Sequence, residues 1–393
     1  MKTRSALPPP LDLVPGGPTF RLMLRVGLAN PAAPRLVQSA LTLLVVTWFP
    51  LALLTLLAGT ALEGSIEQPF VRDFAVHARL LLAVPLFLLS EVTIGPRLRA
   101  IAATFVSSGL VPQSERAAYD DTVRAAMRLR DSSTAEFVLI ALSVVGSIAA
   151  MATRLSSPVE SWLVSSHDGA RYLTIAGWWY AAVGLPVFQF FLYRSLWRGF
   201  IWARFLGAMS KLDLSLVATH PDHAGGLGFV GVGQAAWGAL AFAISIVLAG
   251  SFADAVIYKG SHVMDFKFPI AAYAAVVAVA LIWPLFKFRR KLALARFKGL
   301  LEYGALVHDH HLAFDRKWIG GNEGDDDLLG NPDASSLADT SAGYELVAAM
   351  RTLPLATKDL IPIVVAVALP MIPLFAIEIP LAEILGNLLK IIA

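Results

Sequence analysis

The sequence predicts an all-α, polytopic integral membrane protein with about seven transmembrane helices, six if the last one re-enters, and helical cytoplasmic extensions. Three observations carry that prediction. Of the 393 residues, 56% are hydrophobic and only 16% charged, and the mean hydropathy is +0.65, far from the balance of a soluble domain. The apolar residues gather into stretches of about 20, the length of helix that crosses a bilayer core. Lys and Arg fall on alternate sides of those stretches.

The predicted spans run over roughly 36–62, 74–94, 134–153, 173–197, 229–253, 268–286 and 360–379. Basic residues concentrate before the first span and in the segments 95–133, 198–228 and 287–358, whereas the intervening loops carry few, such as Arg72, Arg154, Arg171, Lys259 and Lys267. Positive residues favour the cytoplasmic side. The N-terminus is therefore expected in the cytoplasm, with a bacterial inner membrane as the expected location. The net charge of +3 then reports topology, and no nucleic-acid partner is expected. The chain lacks cysteine, which removes disulfides, thiolate metal sites and cysteine nucleophiles.

Four regions follow. Residues 1–35 form a cytoplasmic leader, whose prolines (8–10, 15 and 18) exclude helix over 1–18 and predict a mobile tail. Thr19 is placed to cap an interfacial helix over 20–28. Residues 36–286 form a six-helix transmembrane region that includes the cytoplasmic segments 95–133 and 198–228. Residues 287–358 hold a long cytoplasmic helix followed by an acidic linker over 320–343. Phe297, Leu300, Gly304, Val307, His311, Phe314 and Trp318 recur at spacings of three and four, a narrow seam suited to another helix in this chain or a neighbour. Residues 359–393 comprise a Pro-broken membrane segment and an amphipathic tail with Leu381, Ile384, Leu385, Leu388, Leu389 and Ile392 on one face. No strand alternation is evident.

Chemistry has three candidate locations. The segment His220-Pro221-Asp222-His223 leads into Gly225, Gly226, Gly228, Gly231 and Gly233, where uncovered backbone can present N–H groups to an anion or line a narrow passage. The alternative is a tight turn followed by close helix packing. His308, His311 and Asp315 share one helix face at i, i+3, i+7, a spacing that metal ligands can use; solvated surface is the alternative. Pro362, Pro370 and Pro373 predict a broken last span, since each removes a backbone donor. In the fourth span Pro186 predicts a kink, and Gln189 beside it is the polar side chain at mid-depth.

His77, Arg79, Glu91, Asp254 and Glu378 lie toward span ends and are expected to snorkel to the interface. No nucleotide loop, paired-carboxylate motif or Ser/His/Asp array is present, so no cofactor is expected. The function that best fits is a homo-oligomeric ion channel or pore in the lipid bilayer, passing anions or small solutes along backbone and apolar groups. A membrane scaffold or sensor binding a partner or metal is the alternative, and a metal-dependent membrane enzyme the third.

Overall fold

The computed structural model describes residues 10–13, 16–19, 21, 36–62, 66–320 and 331–378. Seven of its helices are long and apolar enough to cross a membrane. In chain order we label the principal helices α1 (Val37–Leu57), α2 (Phe74–Ser107), α3 (Arg116–Arg130), α4 (Ser133–Leu155), α5 (Ile175–Met209), α6 (Gly228–Lys259), α7 (Val263–Phe286), α8 (Arg289–Phe314), α9 (Pro332–Ala348) and α10 (Thr357–Glu378). α2, α5 and α6 are too long for a bilayer core alone. Their extensions at one end join α3, α8 and α9, so basic segments gather there; we call it the basic end.

A buried aromatic and aliphatic core between α2, α5 and α6 holds the bundle together, with Phe87, Phe105, Trp202 and Phe205 each at most 2% exposed. The outward faces of α1, α4 and α7 carry exposed Val, Leu, Ile and Phe. Such an apolar exterior suits a lipid surround. Gly250 lets α6 approach α2 closely: a Cβ there would lie 2.7 Å from the Phe74 carbonyl oxygen and 2.8 Å from Ala78 Cβ.

The opposite end carries a β-hairpin, β1 (Val164–His167) paired antiparallel with β2 (Ala170–Leu173). Strand structure was not expected here. The signal lies in Asp168-Gly169, both at positive φ (50° and 79°), the two-residue turn that favours Asp-Gly. This hairpin end packs inward through Trp162, fully buried, whose indole N–H donates to Asp73 Oδ2 at 3.0 Å.

At the basic end two expectations are corrected. The run after 320 is not all linker, because α9 starts at Pro332, with Asn331 Oδ1 accepting the Asp333 N–H. Proline at the first helical position and a capping Asn favour that start. α9 folds back on α8, and the predicted seam faces it within the chain: Tyr344 packs at Gly304, and His311 Nε2 is 3.0 Å from Ser341 Oγ. Phe297 departs from the seam and is 62% exposed.

The leader is not a free tail where it is described. Leu11 and Leu13 are 1% exposed; Asp12 pairs with Arg99, and Arg130 donates to the Asp12 carbonyl. The Gly17 N–H donates to Asp131 Oδ1 (3.1 Å) and the Thr19 N–H to Glu136 Oε1 (2.9 Å). A chain that proline keeps out of helix has spare N–H and C=O groups, and here helix-borne side chains satisfy them. Burial pushes the Asp131 carboxyl up, but Arg130 and the Gly17 N–H outweigh it and hold it below the usual carboxylate range. A helix begins at Pro18, a residue before Thr19, with the Arg21 N–H on the Gly17 carbonyl. Most of the predicted interfacial helix and the whole C-terminal stripe lie outside the described residues.

Candidate functional site

Proline shapes the site. In α2, Ala78–Ala83 widens into a π turn just before Val84-Pro85, and the Val84 N–H bonds the Arg79 carbonyl. In α5, Tyr180–Gly184 does the same before Leu185-Pro186, with the Leu185 N–H on the Tyr180 carbonyl. A proline lacks an N–H and crowds the preceding turn; one wide turn accommodates it, a feature common at functional sites. The residues accepting these two π bonds then meet through their side chains. Arg79 donates to the Tyr180 hydroxyl at 3.1 Å and to Ser251 Oγ at 3.2 Å.

This corrects the expectation that Arg79 snorkels outward. Asp73, Asp254 and His77 at the hairpin end are turned inward too. Asp254 accepts the Phe74 and Ala75 N–H groups at 2.9 and 3.2 Å, and Asp73 accepts the Val76 N–H at 2.9 Å. Two carboxylates thus cap the start of α2, where helix N–H groups lack partners, and both attract Arg79. His77 Nδ1 accepts from the Trp48 indole at 3.0 Å; its Nε2 therefore carries the proton toward the Phe70 carbonyl, 2.9 Å away. Glu378 accepts the Val263 N–H at 2.9 Å.

Between α2, α4, α5 and α6, Arg79, Tyr180 and Ser251 border a cavity of about 420 Å³. Its polar wall comprises Arg79, Arg154, Tyr180, Gln189 and Ser251, and Phe188 and Leu192 form part of its apolar wall. Gln189 Oε1 is buried without a hydrogen-bond partner among the described residues. It fits because α4 has glycine opposite, where a Cβ at Gly146 would lie 2.8 Å from that oxygen. Two guanidinium groups, a phenol, a carboxamide and a hydroxyl around one space are chemistry suited to a small anion or polar solute.

Phe188 packs inward from the cavity wall. Its ring lies 6.0 Å from that of Phe87, and both are buried. A further turn toward the basic end, Glu91 pairs with Arg198 and lies 3.8 Å from Arg194; the three side chains are 12%, 7% and 7% exposed. Glu91 therefore does not reach an interface as expected but forms an internal ion cluster with Arg194 and Arg198. Leu13 of the leader lies over it, sharing a small space with Glu91, Ser195 and Arg198. The phenylalanine pair at the cavity wall, the ion cluster and the leader thus follow one another along α2 and α5.

The Gly-rich segment has another role. Asp222 accepts the backbone N–H groups of Ala224 (2.8 Å), Gly226 (3.1 Å) and Gly228 (2.7 Å), while His220 Nδ1 lies 2.9 Å from Asp222 Oδ1. The amides that sequence leaves open to an anion are taken by the chain's own carboxylate. Burial pushes this carboxyl up, but the N–H groups of Gly228, Ala224 and Gly226 and the His220 ring prevail and hold it below the usual range. His223, at φ 52°, presents its carbonyl to the Arg351 N–H at 2.7 Å. Pro221 opens this turn. The glycines face protein: Gly225 (φ 64°) meets Met350, Gly226 (φ 93°) meets Leu110, Gly231 meets the Pro354 carbonyl, and Gly233 meets Ile101. None of the five lines the basic cavity.

The remaining candidates are also placed. Pro186 sets the π turn, and Gln189 follows in the cavity wall. α10 runs through Pro362 without interruption; Pro370 lies in a tight turn, Leu369–Met371, with Pro373 just after it, so the regular helix is interrupted there. The break packs on α6, where Ser245 Oγ donates to the Val367 carbonyl at 2.9 Å. Among the described residues no group of three or more His, Asp or Glu side chains is placed to hold a metal ion. His308, His311 and Asp315 therefore do not combine with His220 and His223, and the His311 ring is engaged by Ser341 Oγ. Comparison with known proteins finds no matching family model, curated protein or solved structure.

Proposed function

We propose that the protein is a multi-pass membrane protein that passes a small anion or polar solute along a path between α2 and α5, closed by Phe87 and Phe188. The observation that carries this reading is the cavity bordered by Arg79, Arg154, Tyr180 and Gln189, with an apolar constriction next to it. Cationic walls concentrate anions, and an apolar constriction can gate by excluding water. In this reading the basic end and the leader face the cytoplasm, the side that positive residues favour, and the cavity belongs to the outer half of a bacterial inner membrane. A path inside one chain needs no second copy. Homo-oligomerisation is then a separate proposition, tested by mass determination in detergent.

The test is flux from liposomes, with anions and cations replaced in one series. Phe188→Ser is expected to leak anions, and Arg79→Gln in that background to lower the leak on the order of tenfold. Cation leak of equal size, or an unchanged leak without Arg79, would overturn the reading. Silence from folded Phe188→Ser protein would favour a scaffold or sensor, whose support is the α8–α9 hairpin at the basic end. A metal-dependent enzyme would require stoichiometric metal in the purified protein.

A further inference from the structure

A second cavity, of about 340 Å³, lies between α5, α6 and α7 and is lined almost wholly by apolar side chains, among them Phe200, Ala203, Trp237, Leu240, Val276 and Ala280. Every lining residue falls within the apolar helices. The helices are held apart here by satisfied polar groups: Gln234 takes the Trp202 indole N–H at 3.0 Å and donates to the Leu281 carbonyl at 2.6 Å. The Tyr273 hydroxyl donates to the Ala241 carbonyl at 2.5 Å. Phe200 and Val276 are 51% and 65% exposed, so the rim is open and apolar.

One end of this groove is strongly basic. At Gly207, one turn beyond Ala203, a Cβ would lie 3.1 Å from Lys287 Cδ. Arg204, Lys287, Arg289 and Arg290 are all exposed around that closure. Trp237, whose ring faces Gly199, is buried at the groove wall, and its indole N–H has no hydrogen-bond partner among the described residues. From Gly199 to Arg204 is about 7 Å along the helix at 1.5 Å per residue. An apolar slot followed by exposed cations matches the order of acyl chain and phosphate in a phospholipid.

We propose that this groove binds one anionic phospholipid of the cytoplasmic leaflet, with an acyl chain between α5 and α7 and its phosphate at Arg204 and Lys287. The inference rests on the membrane orientation proposed above and not on the conduit. Basic pockets between transmembrane helices recognise anionic headgroups in this way, and charge complementarity selects such a lipid over a zwitterionic one.

Native mass spectrometry of the full chain with phosphatidylglycerol or phosphatidylcholine in mixed micelles tests it. We expect one phosphatidylglycerol retained in preference to phosphatidylcholine. Arg204→Gln and Lys287→Gln, both exposed and compatible with folding, should each weaken it about fivefold. Ala280→Trp should displace it while leaving the charges in place. Equal retention of both lipids, or phosphatidylglycerol binding unmoved by both charge variants, would overturn the proposal. Alkaline carbonate extraction of membranes separates the two levels. Protein that stays membrane-bound without lipid preference defeats the groove alone, whereas protein released by carbonate defeats the membrane orientation and the groove together.

Discussion

Asp222→Asn probes whether one carboxylate organises the whole entry into α6. The native side chain accepts three backbone N–H groups at 2.7–3.1 Å, two on Oδ1 and one on Oδ2. An Asn keeps a single acceptor oxygen; its NH₂ must face either Gly228 or the Ala224–Gly226 pair, donor against donor. Hydrogen bonds to a charged group contribute about 1.5–3 kcal/mol each. Losing one and weakening the others, together with the carboxylate's attraction to the start of α6, sums to about 3 kcal/mol. For a chain this large that corresponds to a fall of about 4 °C in melting temperature, measurable by thermal unfolding in detergent. The pH dependence has a definite sign. The folded carboxyl lies below its ordinary value, so its contribution is complete above about pH 4, near the unfolded value, and is lost as pH falls through the lower, folded one. The gap between native protein and variant should therefore be constant at neutral pH and close only in acid. A variant as stable as the native protein at pH 7, or a gap that widens in acid, would refute this account.

Other expectations follow from the same packing. Glu91→Gln leaves Arg194 and Arg198 without their buried counter-ion and should cost about 3–5 kcal/mol; pairing it with Arg198→Gln should recover part of that loss, and a double variant worse than the sum would contradict the pairing. Gly250→Val drives a side chain into the Phe74 carbonyl and Ala78, so α2 must shift on α6; destabilisation of about 2–3 kcal/mol, or failure to assemble, should appear in size-exclusion profiles after heating. Leu13→Asp should undock the leader and leave the bundle folded. Burial of a leucine is worth about 1.5–3 kcal/mol, so protease cleavage within the leader should accelerate at least tenfold while the bundle's melting temperature stays unchanged.

The apolar helices were legible because a bilayer-length run with charged flanks has few other solutions, and the break at Pro370 because proline's chemistry is local. What escaped was long-range. Arg79 and Asp254 are 175 residues apart, and nothing local tells that Asp254 caps α2 while Arg79 turns toward Tyr180. Asp222 was visible as part of a motif, yet its partners are the very amides that made the segment resemble an anion site. Gln189 and Pro186 stood out correctly as unusual, but the cavity they border depends on Gly146 and the π turn opposite. The hairpin was missed although Asp168-Gly169 is its signal, since four-residue strands show too little alternation to register. The linker was misplaced because an acidic, Ser-rich composition outweighed the Asn-Pro start of α9.

The seated leader has a consequence for how the protein is made. Its residues are synthesised first, but the place that receives Leu13 is built from α2, α5 and α6, ending at Trp237 and Leu240. At about 5–20 residues per second, the roughly 230 residues in between take on the order of 10–45 s to appear. Throughout that interval Leu11 and Leu13 have nowhere to go. Their docking can occur only after the fifth apolar helix is in position, so it reports that the helices up to that one have assembled. An N-terminus still open to protease marks a molecule whose assembly stopped short.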